Sequence, residues 1–386
     1  MMHGWLESHP MAWAPEVFID AGNSTASSSY VFHIDEREVE EALKTWKGLG
    51  LDVDASTRDN FPLPTIRAQL DEACGDIHQG RGFAIVRGLD PKKYTDEENV
   101  VLFLGIASHF GDMRGVQDKN GSMLTHITDS KNWSAPRELR HGIHTNTGLA
   151  WHTDMGIDIL SLHVRSLAEK GGHTFVASSW TIYKELVMSF PDVLEALQAP
   201  NWSIQISGTP PRHILAPLLQ VFGNKIYISF DPGRLGVHPV TAKSDLASTV
   251  PSLTPRQYDA LAVLSRLATK HRLALDTRPG DMLFINNWAM VHARDPYIDP
   301  NNGARRHLVR LWQRNSKLGW TIPESMRVPW ETAFEAHNGR LSAAWERKYP
   351  AVPAREYKIP RYTAGSAAFM LDGGDGVNGA GADERT

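Results

Sequence analysis

The chain has a single cysteine, Cys74, among 386 residues, so no disulfide framework exists and a reducing, cytoplasmic setting is expected. It has no run of about 18 apolar residues, which excludes a membrane-spanning helix. It has no concentrated basic face either. Forty Lys and Arg stand against 44 Asp and Glu, a formal net charge of −4, which argues against nucleic acid as the principal partner. The N-terminus, Met1 to Glu7, lacks a basic segment followed by an apolar stretch, so no secretory leader is expected. The glycosylation-like triplets at Asn23, Asn120, Asn132 and Asn201 are then chance matches. Internal repeats are absent, and no strong linker divides the middle of the chain. What remains is a composition of 41% hydrophobic and 22% charged residues, enough for a sizeable core and a small-molecule site. Nothing in it fixes an oligomeric state.

Residues 1–30 read as an N-terminal extension that ends in a polar loop over 22–30. Residues 31–370 read as one folded unit, and the Gly- and Asp-rich stretch 371–386 as a disordered tail. Ile66, Leu70, Cys74 and Ile77 recur at helical spacing, which predicts a helix over about 65–79 and makes Cys74 a packing residue. Thr95 and Glu98 form a capping box for a second helix reaching to about 110. Thr254, Pro255 and Gln257 start a third, with Tyr258, Leu261, Leu264 and Ala268 as its apolar face. The rest is β: strands are predicted at 83–87, 161–164, 219–222, 225–230, 281–286, 291–292 and 307–313. Many short strands with a few long helices predict a mainly β protein, a double-stranded β-helix (jelly roll) flanked by helices. The stretch 113–150 is long, rich in Gly, Asn and Pro, and without periodicity. It runs straight into the most informative motif of the chain, so a mobile cover over the site is expected there.

That motif is Trp151-His152-Thr153-Asp154, with His292 following 140 residues after His152. On a strand, residues two apart share a face, so His152 and Asp154 would hold adjacent positions of one metal ion. His292 would close a triangular face and leave the opposite positions free, the arrangement used by non-haem Fe(II) oxygenases. Alternation also puts Arg306, Leu308, Arg310 and Trp312 on one side of a strand and His307 on the other. Guanidinium groups inside a small barrel need anionic partners. A chelating keto acid with a second carboxylate would give Arg306 one. Gly171-Gly172 allow a tight turn before Thr174, whose hydroxyl is a candidate for the same carboxylate. Trp288, Trp312 and Phe230 are candidate pocket walls, Arg310 and Arg234 candidate contacts to an anionic substrate. One of Asn286 and Asn287 is expected to orient a metal ligand and the other to shape a turn.

Taken in order, Gly82 to Leu89, Trp151-His152-Thr153-Asp154, Gly171-Gly172-His173-Thr174, Pro279 to His292, and Arg306 to Arg310 resemble the motifs of the TauD/TfdA (taurine dioxygenase-like) family, which includes clavaminate synthase. The resemblance spans about Phe61 to Ser316 and is greatest to the fungal members. It implies an Fe(II)/2-oxoglutarate-dependent oxygenase with His152, Asp154 and His292 on iron. Arg306 and Thr174 would hold 2-oxoglutarate, O2 would be the second cosubstrate, and Arg310, Trp312 and Phe230 would stand at the substrate. Succinate and CO2 would be released as a small amino acid or amino-acid-derived metabolite is hydroxylated, desaturated or closed into a ring such as an aziridine. The gap from His292 to the arginines is longer than in the shortest members. Two other readings use the same triad: a zinc hydrolase with a metal-bound water, and a non-catalytic jelly-roll sensor of metabolites. The first leaves Arg306 and Thr174 without a task and needs no O2.

Overall fold

The computed structural model describes residues 6, 8–18, 29–118, 120–137, 140–206, 212–237, 250–334 and 346–356. The tail expected at 371–386 and most of the loop at 22–30 lie outside them. Two principal sheets are built from strands β1 (Val31–His33), β2 (Phe83–Arg87), β3 (Met113–Gly115), β4 (Leu124–Ile127), β5 (Leu149–His152), β6 (Ile159–Ser166), β7 (Thr174–Ser178), β8 (Leu273–Ala274), β9 (Met282–Asn286), β10 (Met290–Arg294) and β11 (His307–Arg314). The larger sheet has seven strands in the order β1-β2-β9-β6-β11-β3, with β4 also paired to β11. The smaller runs β8-β7-β10-β5.

Alternation along each central strand divides the core in two. Leu283 and Ile285 of β9, with Leu308 and Trp312 of β11, face a cluster that lies towards the smaller sheet and includes Trp151, Val176 and Val291. Met282 and Phe284, with Val309 and Leu311, face a second cluster under three helices, α1 (Glu36–Leu49), α2 (Arg67–Gln79) and α3 (Asp96–Ala107). A sheet apolar on both faces must be covered on both, and this one is.

The helices start where the sequence caps them. Asp35 accepts from Arg37 N at α1, whose buried Val39, Ala42, Leu43 and Trp46 keep helical spacing, and Gly50 ends it at φ 61°. Thr95 and Glu98 cap α3 reciprocally, and Thr254 and Gln257 do so for α6 (Pro255–Lys270), with α4 (Ser179–Ser189) and α5 (Pro191–Gln198) between them in the chain. A further helix, α7, spans Arg327–Phe334. On α6 the expected Leu264 and Ala268 are buried, with Ala260 and Leu267, and Leu261 packs against the core, but Tyr258 is exposed.

Two further expectations change. The start of the chain is not a free appendage, because Met11, Trp13 and Phe18 sit in the main core and Trp13 Nε1 donates to Arg81 O at 2.8 Å. Nor is 113–150 irregular throughout: β3 and β4 are both laid along β11. These strands are only three and four residues long and carry Arg114, Thr125 and His126, so they leave no apolar alternation to read. No helix among the described residues is long and apolar enough to cross a membrane.

Candidate metal centre

The three expected metal ligands converge. β5 and β10 run antiparallel, and their register sets His152 directly opposite His292. Opposed residues project to the same face, and the two rings lie 4.1 Å apart between centroids. Asp154 is not on the strand, which ends at His152, but in the turn that follows. That turn is fixed from two sides. Thr153 N donates to Phe230 O at 2.7 Å, and Phe230 N to Thr153 Oγ1 at 2.9 Å. Asp154 N donates to Asn287 Oδ1 at 2.9 Å, while Asn287 Nδ2 donates to the carbonyls of Asp154 and Ile157 at 2.6 and 2.8 Å. Asn286 is the turn residue of the pair, its Oδ1 accepting from Trp288 N and Ala289 N.

Asp154 Oδ1 lies 3.8 Å from Nε2 of both His152 and His292. His152 Nδ1 donates to Ala150 O at 2.7 Å, which leaves Nε2 with its lone pair. Burial pushes the His292 imidazole down to about 3, so that ring is neutral at physiological pH. The two oxygens of Asp154 have different surroundings. Oδ2 accepts from Trp312 Nε1 at 2.6 Å and Arg310 Nη1 at 3.0 Å, whereas buried Oδ1 has no hydrogen-bond partner among the described residues. Burial works against ionisation of this carboxyl, but Arg310, the histidines and the Trp312 indole more than offset it and hold it below the usual range. An ionised, partnerless oxygen equidistant from two imidazole nitrogens fits a divalent metal ion. No other group of His, Cys, Asp or Glu among the described residues is so arranged.

Beside the triad, between the sheets, lies a cavity with about 440 Å³ of empty space, part of it open to solvent, bordered by Thr174, Arg294, Arg306 and Arg310. Ile127, Ile143, Leu160 and Leu162 give it apolar walls. Arg306 Nε donates to Gly172 O at 3.1 Å, and its Nη1 is buried without a partner among the described residues. The Gly171-Gly172 turn makes this approach possible. Both residues have positive φ, 70° and 74°, and a Cβ on Gly172 would stand 2.7 Å from Arg306 Nε. Burial lowers the Arg306 guanidinium to about 10, which leaves it charged at neutral pH.

Arg310 and Trp312, expected at the substrate, are bonded to Asp154. Arg310 Nε also donates to Gln117 Oε1 at 2.8 Å, and only its Nη2 is left without a partner among the described residues. Phe230, expected likewise, does not border the cavity; its ring is in the main core. Trp288 donates to Asp158 Oδ1 at 3.1 Å, and Arg234, a candidate for an anionic substrate, is buried beside Asp231, 4.0 Å away; neither borders the cavity. His307 points away from the cavity to His126. Sequence reading missed Gln117 and Arg294. The second stands two residues after His292, where alternation alone would have put it on the ligand face.

A mononuclear two-histidine, one-carboxylate centre inside a double-stranded β-helix, beside a cationic cavity, defines the class as that of the non-haem iron oxygenases. Residues 46–312 match the family model described as taurine catabolism dioxygenase TauD, TfdA family, and the chain belongs to that family. It is 32% identical over 335 residues to the taurine hydroxylase-like protein SAT17 of Stachybotrys chartarum, covering 84% of both chains. It is 25% identical to FR-33289 synthase of Streptomyces rubellomurinus, covering 78% of this chain and 89% of that one. Among solved structures it is similar in fold to an asparagine oxygenase complex with Fe(II), hydroxyasparagine and succinate (TM-score 0.57, 18% identity, 73% of this chain and 93% of that one). It is similar also to the oxygenase OrfP with Fe and alpha-ketoglutaric acid (TM-score 0.53, 17% identity, 73% and 93%). The chain is thus an Fe(II)/2-oxoglutarate-dependent dioxygenase.

Proposed function

We propose that the enzyme oxidises a small amino acid or amino-acid-derived metabolite, by hydroxylation, desaturation or ring closure. For hydroxylation the balance is R–H + O2 + 2-oxoglutarate → R–OH + succinate + CO2. Bound iron supplies the oxygen activation; the protein binds, orients and excludes water. His152, Asp154 and His292 hold the metal. Arg306 Nη1, buried without a partner in the same cavity as the triad, is the observation that carries the cosubstrate assignment. A buried, charged donor without a partner calls for a carboxylate, and the Thr174 hydroxyl beside the cavity would add a second donor. Arg310 orients Asp154 through Nη1 and keeps Nη2 for an anionic group of the substrate. Trp312 acts with it on Asp154, and Phe230 acts through its backbone on Thr153.

Asparagine and arginine are the amino acids named with the solved structures of similar fold, which supports an amino-acid substrate. The single, buried Cys74 accords with a reducing cytoplasm. A screen for succinate release over amino acids and small acids, with Fe(II), ascorbate and 2-oxoglutarate, tests the reading. Substrate-stimulated succinate from at least one amino acid or close derivative is expected. Stimulation only by compounds unrelated to amino acids would overturn the substrate class.

A further inference from the structure

Three guanidinium groups border the cavity, Arg294, Arg306 and Arg310, against the one carboxylate of Asp154. Arg310 is bonded to that carboxylate and Arg306 is the expected cosubstrate anchor, which leaves Arg294 without a task. It stands on β10 two residues beyond His292 and directly opposite Thr174 in the ladder, and it is 5% exposed. Its Nη2 donates to the carbonyls of Gly142 and Thr145 at 3.2 and 3.0 Å, and to that of Thr147. Its Nε and Nη1 are buried with no partner among the described residues. Its guanidinium lies 5.0 Å from the ring centre of Tyr297, and that of Arg306 lies 5.2 Å from the same ring. The Tyr297 hydroxyl is itself buried without a partner among the described residues. So much unmet donor capacity around one cavity is costly unless an anion fills it.

We propose that Arg294 is a second anchor for the distal carboxylate of the 2-oxo acid, and that it couples filling of the cavity to the segment 142–147 above it. The inference rests on the 2-oxoglutarate reading above. A carboxylate offers about four lone-pair positions, enough for Arg306, Thr174 and one fork of Arg294. Once the oxo acid engages Nε and Nη1, the guanidinium plane is fixed. The carbonyls of Gly142, Thr145 and Thr147 on Nη2 are then fixed with it. Ile143, which borders the cavity from the same segment, is seated over the bound acid. The contrasting role is a plain loop pin whose remaining N–H groups only face the tyrosine ring.

The test compares 2-oxoglutarate with oxalate, which chelates a metal through two atoms but has no distal carboxylate. Affinities are measured calorimetrically on the Fe(II)-loaded protein under nitrogen, and amide hydrogen exchange is followed across 142–147. In Arg294→Met the dissociation constant for 2-oxoglutarate should rise about tenfold or more while that for oxalate stays unchanged. 2-Oxoglutarate should slow exchange across 142–147 in the parent protein and not in the variant. Arg294→Lys, which keeps the charge but loses the fork, should weaken 2-oxoglutarate by a smaller factor, and it serves if the methionine variant does not fold. Equal loss for both acids, or an unchanged constant for 2-oxoglutarate, would leave Arg294 a loop pin and overturn the proposal. A parent protein that binds oxalate but not 2-oxoglutarate would instead overturn the cosubstrate reading itself.

Discussion

Trp312 Nε1 stands 2.6 Å from Asp154 Oδ2, and that contact decides which oxygen of the carboxylate is left for the metal. With Oδ2 occupied by the indole and by Arg310, the ligand atom is Oδ1, already equidistant from both imidazole nitrogens. Replacing His152, Asp154 or His292 by Ala should therefore abolish both turnover and stoichiometric Fe(II), with the circular dichroism spectrum retained. Metal content and activity that survive any one of the three would refute the ligand set.

Removing the indole donor should loosen the metal without touching it. Trp312→Phe is expected to weaken Fe(II) binding about tenfold or more, since partners behind metal ligands are worth that much elsewhere. Arg310→Lys separates two tasks. If Arg310 serves only Asp154, metal affinity falls and the substrate KM in metal-saturated enzyme does not move. If Nη2 also meets the substrate, KM rises as well.

The Gly171-Gly172 turn predicts a sharp steric phenotype. A methyl group at residue 172 would press on Arg306 at both Nε and Cδ, at a φ of 74° that L-residues rarely adopt. Gly172→Ala should weaken 2-oxoglutarate binding at least as much as Arg306→Ala, for which loss of charge-assisted bonds of about 1.5–3 kcal/mol implies at least tenfold. A 2-oxoglutarate KM unchanged in both variants would remove Arg306 from the cosubstrate site.

A pH effect on stability follows from His126 and His307. His126 Nε2 donates to Pro350 O at 2.9 Å, so its Nδ1 must accept from His307 Nε2 at 2.7 Å, and protonation of His126 takes away the lone pair that accepts. Burial lowers His126 to about 4 and His307 to about 3. The unfolded chain takes up these protons near 6.5 and the folded chain does not. The stabilisation is thus complete above about pH 6.5 and is lost as pH falls from there towards 4. Urea unfolding between pH 7.5 and 4.5 should show this decline, and His126→Gln should flatten it by up to about 1.4 kcal/mol per pH unit. Equal slopes in the two proteins would mean that the pair takes no part in it.

The metal ligands were legible because three residue types at fixed spacing are chemically demanding, and the capped helices because caps are local. Strand alternation put Arg306, Arg310 and Trp312 on one face, but a face is not a partner. That Asp154 would claim Arg310 and Trp312 depends on how β11 meets a turn more than 150 residues away, which no local pattern encodes. Arg294 obeyed the same alternation and was passed over. β3 and β4 were invisible for a different reason: at three and four residues, with Arg114, Thr125 and His126 among them, they are too short to show alternation, although Leu124 and Ile127 are buried.

One strand, β11, carries or directly follows Arg306, the cavity residue Leu308, Arg310 and Trp312, all at alternate positions. The four stand or fall together. Loss of a single residue between 306 and 312 would turn part of the row outward and bring residues such as Val309 or Leu311 to the iron, so this stretch leaves little latitude for drift in length or polarity. Divergence towards new substrates has to be written on neighbouring surfaces instead, such as Gln117 behind Arg310 or the segment 142–147.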